Sequence, residues 1–184
     1  KNNLEALERY ITGYLDAFNE VIGNGNRFII TPDIEIYSEQ FTRETKEYSD
    51  KCVRYDSQII CNFMKIYNDP IEYLKNFNNK YIANEKNICK AIFDDIDGKS
   101  LDDNQRDAVV NDDLRQLVIA GAGSGKTLTM SAKVKYLVER KQINPKDILL
   151  ISFTRKAASE MSERISRLSI DVDSSTFHKY GLSV

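Results

Sequence analysis

At 184 residues, 41% hydrophobic and 29% charged, the chain has a folded protein's composition and the length of one ordinary domain or two small ones. No apolar run nears the roughly 20 residues that span a bilayer, and no charged start leads into a signal-like apolar core. A soluble, cytoplasmic protein without a membrane partner is expected. Cys52, Cys61 and Cys89 form no CxxC pair and accompany a single histidine, His178, which argues against a zinc site or disulfide framework and for buried free thiols. The chain starts at Lys1 rather than Met and stops at Val184 with no closing signal, so a piece of a longer protein is expected.

The net charge of −2 conceals an asymmetry. Residues 1–100 hold 13 Lys and Arg against 17 Asp and Glu, whereas residues 101–184 hold 13 against 11 and the stretch 131–181 holds 10 against 6. A local cationic surplus suits an anionic partner, the plain alternative being a solvated helix face.

In chain order, Leu4, Leu7, Ile11, Leu15, Phe18 and Ile22 recur at helical spacing, and Gly23 to Asn26 ends that helix. Thr31-Pro32-Asp33 places an N-cap before a proline and predicts a second helix over 34–55. Residues 58–67 read as a third. Asp69-Pro70 starts a fourth that ends near Phe77, and Ile82, Ile88, Ile92 and Ile96 mark a fifth over 80–96. Residues 1–99 therefore read as a small, mostly helical domain bounded by the polar break at 94–100.

Beyond the break the pattern changes. A short helix near 102–111 leads to Leu117-Val118-Ile119-Ala120, of strand length and β-branched content. Glycine-rich residues follow, then a helix over 125–140. Ile148 to Phe153 is a second apolar strand, 156–168 a helix with basic residues outside, and Ser174 to Phe177 a third short strand entering another helix. Strand and helix alternation predicts an α/β fold with a parallel sheet and crossover helices.

The segment Ala120-Gly121-Ala122-Gly123-Ser124-Gly125-Lys126-Thr127 carries the chemistry. Small residues between a strand and a helix let backbone N–H groups turn inward, where the helix N-terminus adds positive partial charge, and polyphosphate is the natural ligand. Lys126 would reach the β- and γ-phosphates, and the Thr127 hydroxyl would ligate Mg²⁺. The strict phosphate-loop pattern has Gly where Ala120 stands. Upstream, the Gln105 amide offers a donor and an acceptor edge that match adenine, although a surface Gln on a helix is the bland reading.

Together these segments resemble the superfamily 1A DNA helicases of the UvrD, Rep and PcrA type, helicase IV in particular. Four motifs fall in order: the Q motif around Gln105, motif I at Ala120 to Thr127, motif Ia as Phe153-Thr154-Arg155-Lys156-Ala157-Ala158 with Met161 and Arg164, and motif Ib as Ser175-Thr176-Phe177-His178. In that family Ala-Gly-Ala-Gly-Ser-Gly-Lys-Thr is itself typical.

The resemblance implies that residues 100–184 are the first part of a RecA-like ATP-binding domain 1A, preceded by a helical accessory domain at 1–99. It implies ATP and Mg²⁺ as cofactors. Gln105 would contact adenine, and Ala120, Gly121, Ala122, Gly123, Ser124, Gly125, Lys126, Thr127 and Leu128 would line the nucleotide site. Leu128 stands where many members carry an Arg that stacks on the base, and Asp102 replaces the usual Asn. Phe153, Thr154, Lys156, Thr176, Phe177 and His178 would lie on or near a track for single-stranded DNA. Aromatic faces stack on bases at about 1 to 3 kcal/mol each, and cations and hydroxyls hold phosphates. The alternative for Phe153 and Phe177 is a place in the core, which is the expected place of Ala157, Ala158 and Met161.

The family also needs an Asp-Glu pair at a strand end and arginines from later motifs. No such pair follows a strand after Thr127: Glu160 and Glu163 fall on a predicted helix, and Asp171 and Asp173 precede the motif Ib strand. Negligible ATP hydrolysis by these 184 residues is expected, with 3′–5′ translocation on single-stranded DNA, or DNA with single-stranded tails, belonging to the complete protein. An RNA polymerase-associated or protein-remodelling ATPase, docking a protein through residues 1–99, is the alternative. A small-molecule P-loop kinase would have no use for motifs Ia and Ib.

Overall fold

A computed structural model of the protein describes residues 2–182. The chain divides into two compact units, one comprising Lys1–Ala83 with Asp112–Gln116 and the other Asn84–Asn111 with Leu117–Val184. The division falls inside a helix, at Ala83–Asn84, rather than at the polar break.

The first unit is helical. α1 (Asn2–Ile22) and α2 (Thr31–Cys52) run antiparallel, as their aromatic contacts require: Tyr10 stacks on Tyr48 with ring centroids 3.7 Å apart, Tyr14 meets Phe41, and Phe18 meets Phe41 and Tyr37. Spacing of i to i+4 along α1 places these rings on one face. α3 (Gln58–Asn68) adds Ile60 and Phe63, and Leu74 of α4 (Pro70–Ile88) completes a core around Ile11, Ile22 and Phe41. Each such apolar side chain contributes roughly 2 kcal/mol when taken fully out of water.

Two local features depart from the expected reading. Ile30, not Thr31, is the N-cap of α2, and the Thr31 backbone N–H and hydroxyl are both held by the Asp113 carboxylate of the returning segment Asp112–Gln116. A carboxylate there faces the positive end of the helix dipole. Residues 70–88 form one helix where two were expected, and Asn78 lies at the expected gap between them. Its buried amide accepts from Ile29 N–H at 2.7 Å and donates to the Ile29 carbonyl at 2.8 Å, so its side chain has partners outside the helix and does not compete for the helix backbone. Cys52 and Cys89 are buried free thiols as expected, whereas Cys61 is exposed.

α4 supplies its last turn, from Asn84, to the second unit. There follow α5 (Lys90–Asp94), α6 (Asp103–Val110), α7 (Lys126–Lys135) continued by a π-helical turn over Tyr136–Arg140, a 3₁₀ turn at Pro145–Asp147, β1 (Leu149–Ser152), α8 (Arg155–Arg167), β2 (Asp173–Thr176) and α9 (Phe177–Gly181). β1 and β2 pair in parallel, Leu149 opposite Asp173 through Ser152 opposite Thr176, with α8 as the crossover. Val134, Leu150, Ile165, Ile170 and Val172 form the core beneath this β-α-β unit. The architecture is thus mostly helical with a small parallel sheet.

The π-helical turn carries two partners of one buried carboxylate. Glu85 accepts from Tyr136 hydroxyl at 3.1 Å and from Arg140 Nε and Nη2 at 3.1 and 2.7 Å. Burial pushes the Glu85 carboxyl up, but the bonds from Arg140 and Tyr136 outweigh it and hold the group below the usual carboxylate range.

The expected strand at Leu117–Ala120 does not form: the segment joins no ladder, with Leu117 84% and Ile119 88% exposed. A continuous apolar run becomes a parallel strand only when neighbours supply ladder partners and cover both faces. Among the described residues the one parallel ladder is that of β1 with β2. No helix among the described residues is long and apolar enough to cross a membrane.

Candidate nucleotide-binding site

Residues 121–125 make a tight loop that runs into α7. Gly123 and Gly125 adopt φ of +78° and +81°, left-handed values that glycine takes without strain. Gly125 is the N-cap of α7 and brings no side chain to it, so the first-turn N–H groups have no side-chain cap. Ser124 Oγ donates to the Gly121 carbonyl at 2.8 Å, closing the loop on itself.

Lys126 opens α7, and its Nζ folds back onto the loop, donating to the Ala120 and Gly121 carbonyls at 3.1 and 2.6 Å. The ammonium is therefore beside the loop and exposed, tethered by two neutral acceptors that an anionic oxygen would outcompete. Thr127 is exposed and its hydroxyl makes no hydrogen bond among the described residues, leaving it available as an oxygen ligand. Leu128 is buried and Ala122 exposed. The donor set fits a polyphosphate with a hard cation: uncapped helix N–H groups, a mobile ammonium and a free hydroxyl.

Gln105 reaches this loop. Its Oε1 accepts from Asp102 N–H at 3.0 Å while Asp102 Oδ1 accepts from Gln105 N–H at 2.9 Å, a reciprocal capping box at the start of α6. Its Nε2 then donates to the Ser124 carbonyl at 3.0 Å. A Cβ at Gly125 would stand 2.7 Å from that nitrogen and push the Gln105 amide off the loop, besides straining a backbone held at φ +81°. A cavity of about 830 Å³ opens along the loop, its wall including Gln105, Lys126 and Thr127 together with Lys99 and, from α8, Arg164.

The expected DNA-track residues lie at the far ends of α8 and β2. Phe153 is 96% and Phe177 72% exposed, so neither belongs to the core. Thr154 caps α8 by accepting from Ala157 N–H at 3.1 Å, and Thr176 caps α9 by accepting from Lys179 N–H at 3.2 Å. Each hydroxyl keeps its own proton to donate. Lys156 is exposed, 3.9 Å from Glu160. Ala158 is buried and Met161 packs against the core, but Ala157 is exposed, contrary to its expected place, because it lies off the face of α8 that buries Ala158 and Ile165.

A second cavity, of about 650 Å³, brings Thr176 and His178 together with Arg155, Ser159, Ser162 and Lys179. Arg155 was named within motif Ia without a role of its own, and Ser159, Ser162 and Lys179 were not singled out from the sequence. The signal was present in part: Arg155, Ser159 and Ser162 share one helix face by their i, i+4 and i+7 spacing. Phe153, Thr154, Lys156 and Phe177 do not line this cavity.

Residues 101–184 match the family model described as the UvrD/REP helicase N-terminal domain. Over this segment the chain is similar to UvrD/REP helicases. The UvrD/REP-type segment is 44% identical over 84 residues to a probable DNA helicase II homolog of Mycoplasma capricolum, covering 44% of this chain and 12% of that protein. DNA helicase IV of Escherichia coli is 44% identical over 94 residues, 50% of this chain and 14% of the relative. The ATP-dependent DNA helicase PcrA of Staphylococcus aureus is 42% identical over 78 residues, 40% of this chain and 11% of the relative. The matched region thus spans little more than a tenth of the length of these relatives.

Proposed function

We propose that residues 100–184 are the ATP-binding opening part of a RecA-like helicase domain 1A, with residues 1–99 an accessory helical region, in a protein that couples ATP hydrolysis to 3′–5′ translocation on single-stranded DNA and to unwinding. The observation that carries the reading is the loop at 121–125, with left-handed Gly123 and Gly125 feeding an uncapped helix that begins with Lys126 and Thr127.

In this reading Lys126 exchanges the Ala120 and Gly121 carbonyls for phosphate oxygens, and the loop N–H groups orient the chain of phosphates. Thr127 would hold magnesium, whose positive charge would offset that of the phosphates. Gln105, already against the loop, would have to release the Ser124 carbonyl to offer Nε2 to adenine. Phe153 and Phe177 present open aromatic faces for bases, while Thr154, Lys156, Thr176 and His178 offer donors for the DNA backbone.

The same reading makes the 184 residues a nucleotide binder with negligible turnover of their own. β1 ends at Ser152 before Phe153 and Thr154, and β2 ends at Thr176 before Phe177, so neither strand end carries a carboxylate pair to hold a cation and orient water.

The test is ATP hydrolysis by the complete protein with and without single-stranded DNA, and strand displacement on duplexes tailed at either end. DNA-stimulated hydrolysis with displacement from a 3′ tail supports the reading. Hydrolysis indifferent to DNA, or turnover of several per second by the 184 residues alone, contradicts it.

A further inference from the structure

We infer that Lys133, carried by α7, is a positioning residue for base recognition: by holding the end of α6 it fixes where the Gln105 amide meets a nucleotide. The inference rests on the reading of Gln105 and the phosphate loop given above and extends it to a residue outside both.

α6 is eight residues long, about 12 Å at 1.5 Å per residue, and a helix of that length depends on outside contacts to keep its shape. Its start is fastened to the loop by the Gln105 Nε2 bond to the Ser124 carbonyl at 3.0 Å. Its end is fastened to α7: the half-buried Lys133 Nζ donates to the Val109 and Asn111 carbonyls, at 2.8 Å each. Carbonyls at a helix C-terminus lack intrahelical donors and carry the negative end of the dipole, so an ammonium there is favourable on both counts. Lys86 also pairs with Asp103 and Asp107, at 2.6 and 2.7 Å, but those carboxylates are exposed, where ion pairs are worth little.

The ammonium of Lys133 is itself seated by the fold. Tyr136, fully buried one turn further on, holds its ring centroid 5.5 Å from Nζ and its hydroxyl on Glu85. Lys133 stands seven residues after Lys126, so the two side chains leave the same side of α7 two turns apart. Because Oε1 of Gln105 is engaged by Asp102 N–H at 3.0 Å, the direction of Nε2 follows the placement of α6. Without Lys133 two carbonyls lose a donor and the end of α6 is free to shift, which moves the amide relative to a base but leaves the loop N–H groups and Lys126 in place.

The test is titration of Mg-ATP, Mg-GTP and inorganic tripolyphosphate into the protein and its Lys133→Met, Lys133→Arg, Gln105→Ala and Lys126→Ala variants, with urea midpoints to establish folding. A Lys133→Met, Gln105→Ala double variant completes the set. Lys133→Met keeps the apolar stem and removes the donors. The ratio of ATP to GTP affinity is expected to fall about fivefold in Lys133→Met, the size of one net hydrogen bond. It should return to within about twofold in Lys133→Arg, whose guanidinium can serve both carbonyls, and tripolyphosphate affinity should change less than about twofold. In the Gln105→Ala background Lys133→Met should leave the ratio unchanged, because both residues act through one amide.

An unchanged ratio in Lys133→Met, where Gln105→Ala lowers it, overturns this inference and leaves the Gln105 reading standing. Equal losses for ATP, GTP and tripolyphosphate also overturn it, because the residue then acts through the loop or the fold, as do independent losses in the double variant. A ratio unchanged in Gln105→Ala removes the adenine reading and this inference with it. Tripolyphosphate affinity unchanged in Lys126→Ala removes the loop reading and likewise this inference. Should Lys133→Met not fold, Lys133→Gln, which retains an amide donor, carries the same comparison.

Discussion

Gln105 Nε2 donates to the Ser124 carbonyl across 3.0 Å while Oε1 of the same amide accepts from Asp102 N–H at 3.0 Å. One side chain thereby fixes the start of α6 and the wall of the phosphate loop together. Gln105→Glu keeps the capping acceptor, loses the donor to Ser124 and sets a carboxylate against a phosphate cavity. Equilibrium urea unfolding is expected to shift by less than about 0.5 kcal/mol, whereas Gln105→Ala loses about 1 kcal/mol with the cap. ATP affinity of Gln105→Glu should fall more than tenfold by fluorescence titration. Wild-type affinity in that variant would show that the amide does not face the nucleotide.

Phe153 and Phe177 are exposed aromatics, and their truncation leaves no cavity behind. Phe153→Ala and Phe177→Ala are expected to keep the urea midpoint within about 0.5 kcal/mol. Stacking on a base is worth about 1 to 3 kcal/mol, so anisotropy with labelled oligo-dT should report roughly tenfold or greater loss per variant. Intact DNA binding in both variants would remove them from the track.

Glu85 contributes stability with a definite pH dependence. Burial raises its carboxyl pKa, but Arg140 and Tyr136 lower it further, so the folded value lies below the unfolded one. Its stabilisation is complete above the unfolded value near 4.5 and is lost as pH falls through the folded value. Glu85→Gln is expected to cost about 2 kcal/mol at pH 7, the low side of values for a broken buried pair because Arg140 is partly solvated. The gap between wild type and variant should narrow at pH 3.5 in urea titrations. A constant gap across that range would assign the loss to packing.

Asn78 satisfies the backbone of Ile29 from both sides of its amide. Asn78→Leu leaves a buried N–H and carbonyl without partners, at about 2 to 3 kcal/mol. Denaturant unfolding of the helical unit measures this directly, and a neutral effect would mean that water replaces the amide.

Much of this was legible from sequence, for reasons that differ by element. The apolar stripe of α1 and the junction at Gly125-Lys126 are local: periodicity and turn chemistry announce them without reference to partners. Leu117–Ala120 reads as a strand, but a parallel strand exists only through its neighbours, and those are not properties of the segment. The break expected after Phe77 is absent, and the Ile29 backbone that satisfies the Asn78 amide there is far away in sequence. The π-helical turn at Tyr136–Arg140 is invisible without Glu85. Arg164 was legible as part of a motif but not as a wall of the nucleotide cavity, which depends on how Ile165 seats α8 in the core.

The loop assignment is tested most directly by titrating Mg-ATP into the protein and its Lys126→Ala variant at matched ionic strength. Lys126 Nζ is exposed and, among the described residues, bonded only to two loop carbonyls, so its removal should leave folding unchanged. Affinity should fall at least tenfold, about 1.4 kcal/mol or more. Equal affinity in the two proteins would contradict the assignment of residues 120–127 as the phosphate-binding loop.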